Sequence, residues 1–196
     1  MTAGSSEFDI RAHIAQRINL QQHLVEDKSF LESLRAVGRI MADALRSGHK
    51  LFFMGNGGSA ADAQHLAAEF TGRYGRERRP LPAIALSVNT SSLTAIANDY
   101  SFDVVFARQL DALGAEGDVA IGLSTSGNSA NVIQAMEMAR SKTLVTVGIT
   151  GQSGGLLKNA VDFCLCVPSQ ETPLIQEVHI MIGHFLCEFV EAELFG

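Results

Sequence analysis

From Ile10 to Ser47 the apolar residues recur at intervals of three and four, as in Leu31, Leu34, Val37, Met41 and Leu45, which predicts helix. The pattern breaks near Asp27, so two helices are expected, the second closed by Gly48. Beyond Gly48 the period changes. The short apolar runs "LFFM", "AIALS", "VAIGLS", "LVTVGIT" and "FCLCV" alternate with helical stretches, and runs that are apolar throughout fit strands covered on both faces. The alternation predicts an α/β fold, a three-layer αβα sandwich around a five-stranded parallel sheet. The stretch from Pro173 to Leu194 starts with proline and is apolar on most of its circumference, which predicts a long C-terminal helix buried against the sheet and against a partner subunit. No repeat or linker divides the chain. Residues 10–196 are therefore expected to form a single domain that includes the N-terminal helical pair, behind a flexible N-terminus over residues 1–9.

A chain of 196 residues, 46% of them hydrophobic, can bury a substantial core. Its formal charge of -6 argues against a non-specific nucleic-acid binder, because no basic stripe is present to displace counterions. Arg73, Arg76, Arg78 and Arg79 form one small positive cluster, read either as a solvated loop or as a contact for an anionic ligand. No apolar run reaches the ~18 residues that a membrane span needs. Cys164, Cys166 and Cys187 lack zinc-type spacing and read as small buried hydrophobes in a reducing compartment. A cytoplasmic location follows, with no membrane and no nucleic-acid partner.

In a parallel sheet, ligands collect at the carboxyl ends of the strands. Three such ends are polar here: Gly55 to Ser59 after "LFFM", Asn89 to Ser92 after "AIALS", and Ser124 to Ser129 after "VAIGL". The loop "STSGNS" sets four hydroxyls around a glycine just before a helical run, which suits a phosphate dianion at a helix start; the competing reading is an ordinary capped turn. No Walker lysine follows either loop. Gly55 to Ala60 also fits a loose dinucleotide pattern, but the acidic residue expected about 20 positions on is missing, which leaves a nucleotide-dependent oxidoreductase as a minor alternative.

His65 and Glu69 lie one turn apart on the helix that Ser59 is expected to open, and Gln176 and His184 lie close to two turns apart on the last helix, with His179 drifting to the side. Two nitrogens, a carboxylate and an amide oxygen would make a tetrahedral zinc-type set. Spacing alone leaves solvated helix contacts as an equal reading.

The motifs "GNGGSAADAQH", "AEFTGR", "AIANDYSFD", "LSTSGNSANVI" and "IQEVHIMIGH" together make the chain resemble the sugar isomerase (SIS) domain family, and within it the bacterial phosphoheptose isomerases. The resemblance covers essentially the whole chain. It implies one Zn2+ per subunit on His65, Glu69, Gln176 and His184. It also implies sugar-phosphate contacts at Asn56, Gly57, Gly58, Ser59, Glu69, Asn98, Asp99, Ser124, Thr125, Ser126, Ser129 and Gln176, and a homotetramer. The implied activity is aldose-ketose isomerisation of sedoheptulose 7-phosphate to D-glycero-D-manno-heptose 7-phosphate through an enediol, with Glu69 as base and His184 as acid. Leu174 stands where some members carry arginine. The alternative is a non-catalytic member, a sugar-phosphate sensor or a replication-initiator-binding paralogue. That paralogue lacks the last histidine and has an arginine in the serine loop, whereas this chain has His184 and Ser126.

Overall fold

The computed structural model describes residues 8–196, so most of the expectation for residues 1–9 lies outside the described residues. Asp9 caps α1 (Ile10–Glu26) by accepting the Ala12 amide. Asp27 then ends α1 and begins α2 (Lys28–Arg46), its carboxylate accepting the Phe30 amide, which accounts for the break between two helices that otherwise share one pattern. Gly48, just past the end of α2, takes a left-handed φ of 86°.

Strands and helices alternate from there: β1 (Leu51–Gly55), α3 (Gly58–Thr71), β2 (Ala83–Ala85), α4 (Thr90–Asp99), a 3-10 turn at Phe102–Val104, α5 (Val105–Leu113), β3 (Val119–Ser124), α6 (Ala130–Ser141), β4 (Val145–Thr150), α7 (Leu157–Ala160), β5 (Phe163–Cys166) and α8 (Thr172–Phe195). The five strands are parallel in the order β2-β1-β3-β4-β5. The expected three-layer sandwich is present, with the long C-terminal helix.

Side-chain alternation divides the core into two layers. Leu51 and Phe53 of β1, with Ile121 and Leu123 of β3, face α2, α3 and α8; Phe52, Met54 and Ala120 face α5 and α6. Chain order reverses between β1 and β3: from β1 the chain crosses to β2 on one side and later returns to β3 on the other. In open parallel sheets this reversal opens a crevice at the strand ends. Both glycine-rich loops lead out of it. No helix among the described residues is long and apolar enough to cross a membrane.

The arginine cluster does not divide as the charge pattern suggests. Arg78 is buried, its Nε 2.8 Å from Glu191 Oε1 on α8, while the amides of Tyr74, Gly75 and Arg76 donate to the same carboxylate. Burial alone would raise the Glu191 carboxyl, yet these amides and the guanidinium hold it below the usual carboxylate range. Arg78 also donates to the carbonyls of Glu69, Phe70 and Gly72, so one ion pair ties the end of α3 to α8. Breaking one side of such a buried pair typically costs about 3–5 kcal/mol.

His179 is fully buried on α8 and neither ring nitrogen has a geometric hydrogen-bond partner. Burial pulls its pKa down from 6.5 to about 4, against a weaker opposing effect of the Thr150 backbone. The folded protein therefore refuses a proton that the unfolded chain accepts, and stability is expected to fall as pH drops from 6.5 toward 4. In His179→Leu the urea midpoint should vary less with pH across that window than in the native protein. An equally steep dependence in the variant would contradict the assignment.

Candidate active site

The loop after β1 turns at Gly57, where φ is 56°, and the helix begins at Gly58 rather than at the expected Ser59. Ser59 is instead buried in the first turn, so its hydroxyl does not line an open cradle. Across the crevice, Ser124 and Ser129 hydroxyls sit 3.0 Å apart, and the Ser126 hydroxyl accepts the Asn128 amide. Thr125 and Ser126 line an open cavity of about 540 Å³ with Gln152, Ser169, Gln170 and Ile175, within the usual range for small-molecule sites.

On the other side of β1, α3 and α8 bring their polar residues together. His65 Nε2 lies 3.0 Å from His184 Nε2 and 3.3 Å from Glu69 Oε1, and the three ligand atoms fall within 4.8 Å of one another. Two nitrogens bound at the ordinary zinc distance around a tetrahedral centre would be about 3.3 Å apart. The donor set therefore fits a zinc-type ion in both chemistry and spacing. Gln176, two turns before His184, packs against the head of α3: a side chain on Gly58 would meet its Nε2 at 2.4 Å. The backbone of the glycine loop and the Gln176 amide are thereby in contact. Asn98 and Asp99 are exposed at the end of α4 and bonded to each other.

The SIS domain family matches residues 13–151 of the chain. The chain belongs to the SIS domain family. Among relatives of this SIS protein, the phosphoheptose isomerase of Clostridium acetobutylicum is 49% identical over 95% of this chain and 95% of that protein. The phosphoheptose isomerase of Roseiflexus sp. is 53% identical over 93% of this chain and 91% of its own length. The structure of a phosphoheptose isomerase from Neisseria gonorrhoeae superposes with a TM-score of 0.89 at 41% identity, covering 96% of this chain and all of that one.

Two site residues of this SIS domain escape sequence reasoning. Asp62 lies three residues before His65, half-buried, with Oδ2 unpartnered. Burial raises its pKa, and the His65 and His184 imidazoles partly offset that. The spacing of Asp62, His65 and Glu69 at i, i+3 and i+7 is the signal that could have found it. Asn131 opens the helix after the serine loop and exchanges two amide hydrogen bonds with Asn56, at 2.8 and 2.9 Å. Nothing in one sequence pairs two asparagines 75 positions apart. The pair pins the glycine loop to the serine loop across the crevice. Asn131→Ala leaves Asn56 half-satisfied in a partly buried place, a loss of about 1–3 kcal/mol. Thermal unfolding should show this as a lower midpoint, and an unchanged midpoint would mean that water replaces the pair at no cost.

Proposed function

We propose that this protein is a phosphoheptose isomerase, converting sedoheptulose 7-phosphate to D-glycero-D-manno-heptose 7-phosphate, the first step of nucleotide-activated heptose biosynthesis. The observation that carries the reading is the meeting of His65, Glu69 and His184 beside the glycine loop, in a chain about half identical to relatives of that name. A ketose becomes an aldose when a proton leaves C1 and one arrives at C2 through an enediol, so the site needs a base and an acid on one side of the sugar chain. Glu69 removes the C1 proton. His184 returns one to complete the aldose. One Zn2+ per subunit, held by His65, Glu69, Gln176 and His184, would act as a Lewis acid on the carbonyl and enediol oxygens. Ser124, Thr125, Ser126 and Ser129 receive the phosphate at the start of α6, where hydroxyls and the positive helix end favour a dianion. Asn56, Gly57 and Gly58 position the sugar chain through the glycine loop, Ser59 supports that loop from the buried first turn of α3, and Asn98 and Asp99 orient a hydroxyl.

We further infer that residues 10–196 act as one SIS domain assembled into a homotetramer in the cytoplasm. Support for the assembly comes from α1, which exposes Ile10, Ile14 and Ile18 along one face, and from α4, which buries no residue in the isolated chain. The exposed His65 edge of the site is consistent with cover from a neighbouring subunit.

The test is product analysis with a panel of ketose phosphates: the heptulose 7-phosphate should give the aldose, and shorter chains should turn over less. Binding of sugar phosphate without any aldose product would favour the non-catalytic sensor. Glu69→Gln should lower kcat by about 10² to 10⁴ with the fold retained, and near-normal turnover would remove Glu69 as base. Ser126→Glu places a carboxylate at the phosphate seat, so KM should rise strongly; an unchanged KM would remove the phosphate assignment.

A further inference from the structure

Strand β5 is at the sheet edge, and its alternation sends Phe163 and Leu165 into the core under α2 and α8. Cys164 and Cys166 therefore share the opposite face. The single-turn α7 packs against β5, and both cysteines remain partly exposed. Their sulfurs lie 3.6 Å apart. The Thr150 hydroxyl of β4 is within 3.6 Å of one and 3.5 Å of the other.

We propose that Cys164 and Cys166 form a reversible dithiol-disulfide pair whose oxidation loosens the wall of the 540 Å³ cavity. The oxidant would be a low-molecular-weight disulfide. The Cys166 thiolate attacks one of its sulfurs and expels the first small thiol; Cys164 then attacks the Cys166 sulfur, expelling the second. Two protein thiols lose two electrons and two protons, and the small disulfide is reduced to two thiols. The Cys164 hydrogen bond, then the Thr150 hydroxyl and Lys158, draw the Cys166 thiol down to about 6 despite burial, which suits it as the attacking group. Cys164 is pushed the other way by the same hydrogen bond and by burial.

Positions two apart on a strand have Cα atoms about 6.6 Å apart, near the upper limit for a disulfide. Closing the bond therefore strains β5, and strained, accessible disulfides are the readily reduced ones. The strain has a short path to the cavity. The Val167 amide donates to the Thr150 carbonyl, the Gly151 amide to Thr125, and the Gln152 amide to Ser169. Thr125, Gln152 and Ser169 all line the cavity.

The experiment incubates the native protein with oxidised glutathione, then reads thiol count, peptide masses and backbone amide exchange. The expected result is loss of two of the three thiols, a peptide spanning 163–167 lighter by two hydrogens, and reversal by dithiothreitol. Cys187→Ser should behave the same, whereas Cys164→Ser should stop at a mixed disulfide on Cys166. Exchange at residues 150–152 and 167–170 should rise several-fold on oxidation. Three intact thiols, mixed disulfides alone in the native protein, or unchanged exchange around the cavity would each overturn the proposal.

Discussion

The site depends on how closely α3 and α8 approach. A side chain on Gly183 would meet Leu66 at 2.4 Å, and one on Gly58 would meet Gln176 at the same distance, so neither position tolerates even a methyl without movement. These two contacts bracket the polar cluster. Leu66 follows His65 and Gly183 precedes His184, so the tight apolar contact sets the spacing of the two imidazoles beside it. Interiors are close-packed and shift by discrete repacking rather than smooth deformation, which makes the spacing of the ligand atoms a property of the core.

The Glu191 carboxylate holds the same two helices at their far ends. It gathers three backbone amides and the Arg78 guanidinium, and Arg78 in turn holds the carbonyls that finish α3, including that of Glu69. Glu69 thus has its side chain in the polar cluster and its backbone in a buried ionic network. The crevice loops are held separately, by the Asn56 and Asn131 amides and by hydrogen bonds from the 151–157 segment to the serine loop. For the isomerisation proposed above, a rigid pair of helices and a separately braced loop would hold the two ends of a long, flexible sugar phosphate in a fixed relation.

Much of this was legible in the sequence. Period and run length were enough for the layers and the five parallel strands, because strands buried on both faces leave unbroken apolar runs that helices do not. His65, Glu69 and His184 could be grouped as candidates because helical spacing puts those of each helix on one stripe, but spacing left solvated contacts as an equal reading, and the resemblance to the SIS family favoured the ligand set. Three points were not legible. Arg78 read as part of a solvated loop or of an anion contact, since nothing local marks a partner 113 positions away in Glu191. The helix start fell on Gly58 because Gly57 adopts positive φ, which favours glycine over the usual serine cap. His179 looked peripheral by helical angle alone. That angle is defined relative to the site stripe, and the other side of α8 turns into the core beneath β4.

If the close contact of α3 with α8 builds the centre, Zn2+ affinity should report it directly. Calorimetric titration of Gly183→Ala, with its folded state checked by circular dichroism, should show zinc binding at least tenfold weaker than in the native protein, a difference of about 1.4 kcal/mol. The expected cause is that the added methyl displaces Leu66, and with it His65, away from His184. Native zinc affinity in a folded Gly183→Ala would contradict the account, because the ligand spacing would then not depend on the helix contact.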